Sequence, residues 1–154
     1  MRALRREIGE ALKTYRLPGD NQAAKGVTIY TQHVPKAHLS DPVGQYHPLV
    51  VISCNAIEDD LEGTIAEIGI TVGVHGESGV DSDGRATEPW IDLLNLMGDI
   101  RLRLLSRRLV ENRYQLILPL LTETSEVQPA PYYYGGLTAR YVIRQVADER
   151  SITR

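Results

Sequence analysis

Residues 87–112 read TEPWIDLLNLMGDIRLRLLSRRLVEN, and they form the longest stretch of this 154-residue chain with a helical period. Thr87 suits an N-cap, Pro89 a first turn and Asn112 a stop. Trp90, Leu93, Met97, Ile100 and Leu104 recur at alternating short spacings that place them on one stripe. Ile91, Leu94, Leu102, Leu105 and Leu109 widen that stripe towards half the circumference. A helix lying on one sheet needs a narrower band, so a second surface is expected to cover the rest. Arg101 and Arg108 project close to the middle of the apolar arc. A charge there needs a partner, or its stem must run along the apolar surface to water. Two readings stay open: a slightly rotated helix with both guanidinium groups at its rim, or arginines that reach across a subunit boundary.

The rest of the chain supplies a sheet for this helix. Residues 27–34, VTIYTQHV, alternate and are rich in β-branched side chains, which predicts a strand. Residues 49–57 and 64–74 read as two more strands, joined by the acidic turn from Glu58 to Gly63 as a hairpin. In the second of these, Ile68, Ile70, Val72 and Val74 share one face, while Gly69, Thr71 and Gly73 share the other. That second face is nearly bare, and glycine in a strand marks close approach by another group, so it is expected to receive something flat. Residues 114–122 form a strand interrupted by Pro119, at an edge or with a bulge. A stiff link, Gln128-Pro129-Ala130-Pro131, leads through Tyr132-Tyr133-Tyr134 into a last strand over 137–146.

Residues 2–16 read as a first helix with Leu4, Ile8, Ala11, Leu12 and Tyr15 on one face, closed by Leu17-Pro18-Gly19-Asp20. Its arginines interleave with Glu7 and Glu10, the pattern of a packed surface helix rather than a nucleic-acid-binding arm. Residues 35–48 form a long proline-bounded connection, and Lys36 and His38 on it are candidate partner contacts. Residues 76–86 are a polar, glycine-rich linker, and residues 148–154 a polar tail that frays. The order α-β-β-β-α-β-β, without βαβ alternation, predicts one α+β domain over 1–154. Its mostly antiparallel sheet has about five strands, with two helices packed on one face.

Composition narrows the function. With 42% hydrophobic and 24% charged residues the chain is an ordinary soluble domain, and its net charge of −3 argues against general nucleic-acid or acidic-membrane binding. The single cysteine, Cys54, excludes an intramolecular disulfide and reads as a buried small hydrophobe in a reducing compartment. No leader is expected, and no apolar run approaches the ~20 residues that cross a bilayer.

Catalytic patterns are weak. His33, His38, His47 and His75 do not stand at zinc-pair spacing, and Asp81-Ser82-Asp83-Gly84 with Glu88 lacks the ligand spacing of a calcium loop. Neither a phosphate loop nor a nucleophile elbow is present. No enzyme, metal or cofactor is expected. Phenylalanine is absent while tyrosine occurs eight times, and Tyr132, Tyr133 and Tyr134 are candidates both for closing the sheet and for an interface.

Taken in order, the strand Ile68–Val74, the helix from Trp90 through Arg101–Leu105, Glu111-Asn112-Arg113-Tyr114, Pro119-Leu120 and the Gln128–Gly135 link give the chain a family resemblance. Over roughly residues 53–146 it resembles the tail-terminator and minor tail proteins of long-tailed, non-contractile bacteriophages and related prophages. The resemblance implies a structural virion protein, made in the bacterial cytoplasm, that forms a ring, usually hexameric. Such a ring caps the tail tube and meets the head-side connector; its partners are itself, the tube protein and the connector protein. Arg101, Arg108, Gly69, Gly73, Tyr132, Tyr133, Tyr134, Lys36 and His38 are the candidate contact residues, since a head-to-tail ring needs two different patches. Two alternatives remain. One is a head-completion or connector protein with Arg103 and Arg107, or the Lys36–His38 loop, on phosphate; the other is a small metal-dependent enzyme using Glu58–Asp60 or the histidines.

Overall fold

The computed structural model describes residues 1–14, 26–41, 44–61, 63–80, 84 and 86–143. The fold is α+β: a curled sheet of six strands, with both helices on one face. The strands are β1 (Thr28–Thr31), β2 (Leu49–Asp59), β3 (Thr64–His75), β6 (Leu109–Val110), β7 (Tyr114–Thr124) and β8 (Tyr132–Ile143), in the order β1-β2-β3-β8-β7-β6. A separate small hairpin, β4 (Gly79–Val80) with β5 (Ala86–Thr87), interrupts the linker before the second helix. The helices are α1 (Arg2–Leu12) and α2 (Pro89–Ser106), and a 3₁₀ turn spans Lys36–His38.

The alternation in β3 places its side chains as expected. Ile68, Ile70, Val72 and Val74 are buried towards the helices, beside Leu137, Ala139 and Tyr141 of β8 and Val50 and Ile52 of β2. The sheet is nevertheless mixed, because β1 runs parallel to β2. A period of two says which face a side chain takes and nothing about strand direction. β6 pairs only with Tyr114 and Gln115, so most of the long β7, Pro119 included, lies at the edge of the sheet as expected. Pro119 sits in a bulge, where β7 takes four steps from Ile117 to Leu121 while β8 takes two from Arg140 to Thr138.

Helix α2 is shorter than its period suggested and is rotated. It begins at Pro89 and ends at Ser106; Thr87 belongs to β5. Asn112 is a turn residue with φ 54 between β6 and β7, a conformation that asparagine tolerates. Its buried side is Leu93, Leu96, Met97, Ile100 and Leu104, with Pro89 at the start. Trp90, expected on that stripe, points to solvent, and Leu96 takes its place in the core. Each fully buried Leu or Ile here contributes about 1.5–3 kcal/mol. Close packing on β8 depends on Gly135, since a side chain there would run into the Met97 thioether.

Helix α1 buries Ala3, Leu4, Ile8 and Leu12 and is tied to α2 by Glu7. The Glu7 carboxylate accepts from Arg103 Nε at 3.0 Å and lies 2.8 Å from its terminal nitrogen, both side chains being mostly buried. The expected end of α1 at residues 15–20, the acidic linker residues 81–83, and residues 144–154 with the rest of the last strand and the tail lie outside the described residues.

Candidate functional site

The sheet face turned away from the helices was expected to be bare along Gly69 and Gly73. It is filled from within. A side chain at Gly73 would stand 2.6 Å from the ring of Tyr134, its register partner on β8, and 3.3 Å from His47. Beside Gly69 lie Ser53 and Asn55, whose own hydrogen bond spans 2.9 Å from Ser53 Oγ to Asn55 Oδ1. The flat guest is therefore the protein's own tyrosine. Tyr132 and Tyr134 face this side with their rings nearly parallel, while Tyr133, between them, packs against the core.

Residues 35–41 and 44–48 are fastened over the same face. Asp41 and His47 are both buried, with His47 Nδ1 2.7 Å from Asp41 Oδ2. The Gln45 and Tyr46 amides donate to the same carboxylate at 2.6 and 2.9 Å. On the other side of the ring, His47 Nε2 lies 3.2 Å from the Tyr134 hydroxyl, and the Tyr132 hydroxyl donates to the Asp41 carbonyl. Burial alone would raise the Asp41 carboxyl. The hydrogen bonds from His47, Tyr46 and Gln45 outweigh it and hold the group below the usual carboxylate range. The Tyr134 phenol is pushed up, mainly by burial and further by Tyr132 and Asp41. Gly44, with φ 65, lets the turn press against the His75 ring, which meets Tyr132 edge-on.

This network answers what the loop is: a strap held by polar side chains and stacked rings. His38, a candidate partner contact, is part of it, stacked on Tyr46 at 4.0 Å with its Nδ1 2.9 Å from the Tyr30 hydroxyl. Lys36 stands exposed at the start of the 3₁₀ turn. Of the phosphate contacts expected under the connector alternative, Arg103 is engaged by Glu7, while Arg107 is exposed.

One uncovered apolar surface lies on α2. Trp90, Ile91, Leu94 and Leu102 are 50, 41, 39 and 62 % exposed, and they run along one side of the helix. Gly98 lies among them, and a side chain there would meet nothing. Arg101 is exposed on the border between this ridge and the buried side. Arg108 lies beyond the helix, exposed, in the link to β6. The apolar arc is indeed too wide for one sheet, and its outer part is open. Monomeric proteins rarely leave such a contiguous patch in water without a use for it.

Gly135 and the Asp41–His47 pair were not singled out from sequence. A Tyr-Tyr-Tyr-Gly-Gly run signals close approach only once its strand is known, and Asp41 carries no local pattern. Among the described residues, no group of three or more His, Cys, Asp or Glu is placed to hold a metal ion. No helix among them is long and apolar enough to cross a membrane. No protein-family model matches the chain, and no curated protein is found to be similar to it.

Proposed function

We propose that this protein is a structural assembly subunit of the tail-terminator kind, which binds copies of itself in a ring and seats on the end of a phage tail tube. The observation that carries this reading is the open apolar ridge of α2, Trp90, Ile91, Leu94 and Leu102, bordered by Arg101. A wet stripe of this kind on the outer side of a well-packed helix is stabilised when a protein partner covers it. The α+β architecture agrees with what the family resemblance implies. The strapped loop presents Lys36 and the exposed Leu39 on a fixed base, suited to a second contact such as the tube or the connector.

The test is charge reversal at the border of the ridge. Arg101→Glu and Arg108→Glu alter exposed side chains, so both variants should fold with unchanged circular dichroism. Loss of self-association in either supports the reading. Unchanged assembly in both removes these arginines from the interface.

A further inference from the structure

Helix α1 carries Arg2, Arg5, Arg6 and Gly9 at spacings that put all four on one stripe, and that stripe borders β1, the end strand of the sheet. Between them runs an open groove of about 430 Å³, with Val27 and Ile29 as its apolar floor. Among the described residues its lining includes three arginines and no carboxylate. Arg6 lies 3.0 Å from Glu111, whereas Arg2 and Arg5 are exposed and have no ion-pair partner among the described residues. Gly9 keeps the groove open. A methyl there would meet only Ile29 Cδ1, at 3.9 Å, so close packing does not demand the glycine. Glycine inside a helix costs about 1 kcal/mol relative to alanine, and cations near the amino end of a helix are also unfavourable. Local preferences set aside together on one surface point to a contact made there.

The complementary surface is on the same chain. At the tip of the β2–β3 hairpin Glu58, Asp59 and Asp60 are all exposed, and Leu61 beside them is wholly in solvent. The tip is held in shape from within. The Asp60 amide donates to the Gly63 carbonyl at 2.9 Å, the Gly63 amide donates to the Asp60 carboxylate at 2.9 Å, and the Thr64 hydroxyl donates to Asp59. This tip does not reach the groove of its own copy. Ile29 stands opposite Val50, and Asp59 lies nine residues further along β2, about 30 Å at the rise of a strand. An acidic tip with an apolar point and a basic groove with an apolar floor therefore stand far apart on one molecule.

We infer that the acidic β2–β3 tip of one copy seats in the basic α1–β1 groove of the next, with Glu58 and Asp59 against Arg2 and Arg5 and Leu61 on Val27 and Ile29. This docking rests on the self-assembly reading above and adds a pair of surfaces separate from the α2 ridge. Every copy offers one tip and one groove, so the contact is head-to-tail and each copy holds two neighbours. Complementary charge sets the register of such a contact and is screened by salt, so association weakens as the salt concentration rises.

Two charge reversals in the full chain test it. Arg2→Glu/Arg5→Glu makes the groove acidic, and Glu58→Lys/Asp59→Lys makes the tip basic. All four positions are exposed, so both variants should keep the circular dichroism of the wild type. In light scattering each variant alone should lose the wild-type mass, because like charges then meet. An equimolar mixture should regain it, because every tip then finds a groove of opposite charge. Gly9→Met, which fills the groove without altering charge, should fold and fail to assemble. If the wild-type chain is oligomeric and any of these variants alone keeps its mass, or the mixture does not regain it, the docking is overturned and self-assembly stands. A wild-type chain that is a monomer at every concentration overturns both.

Discussion

Gly73 on β3 and Tyr134 on β8 are register partners, and the tyrosine ring covers the place where a Gly73 side chain would stand. The same ring reaches the buried His47, so one cross-strand pair joins the sheet to the strap over it. Gly73→Ala puts a methyl 2.6 Å from a carbon of the Tyr134 ring, which is flanked by His47 and Tyr132, and overpacking of this kind costs about 1–3 kcal/mol. Gly69→Ala is the contrast. There the nearest atom is the end of the exposed Asn55 side chain, which can swing away, so the change should stay within about 0.5 kcal/mol. Urea denaturation of the two variants separates them; equal effects would contradict the packing described.

Asp41 fastens the strap. In Asp41→Ala the His47 ring and two amides lose their acceptor. Leaving these buried groups without their acceptor should cost about 1–3 kcal/mol. Limited proteolysis should then cut first within residues 35–48.

The same carboxylate sets an acid limit. Its value in the fold lies below the ordinary ~3.9, so its stabilising effect is fully present above about pH 4. That effect is lost as the pH falls through the depressed folded-state value. Thermal unfolding from pH 6 to pH 2 should therefore fall more steeply below pH 4 for the wild-type chain than for Asp41→Asn.

Tyr141 is buried, and its hydroxyl has no hydrogen-bond partner among the described residues. Burial, with a smaller contribution from Glu7, pushes this phenol well above its usual range. Tyr141→Phe removes a polar atom without a partner among the described residues and keeps the ring, so stability should rise by about 1 kcal/mol. A lower midpoint in urea would mean that the hydroxyl has a partner.

How far the sequence reached can be judged element by element. The faces of β3 and the position of α2 follow from periodicity, because burying one face leaves its mark on every second or every third-to-fourth residue. Trp90 was misplaced because an arc half the circumference wide does not say which part of it is buried. Tyr132, Tyr133 and Tyr134 read as a link after Pro129 and Pro131, and they are instead the start of β8. Twelve residues of β3 to pair against override the local signal. The direction of β1 and the contact of His47 with Tyr134, 87 residues away, depend on tertiary pairing and leave no trace in local pattern.

The measurement that bears most directly on the central proposal is the solution mass by light scattering, at two protein concentrations and two salt concentrations. The account predicts a closed oligomer near six copies that persists on dilution, with the α2 ridge withdrawn from solvent. A strict monomer under all four conditions would contradict it.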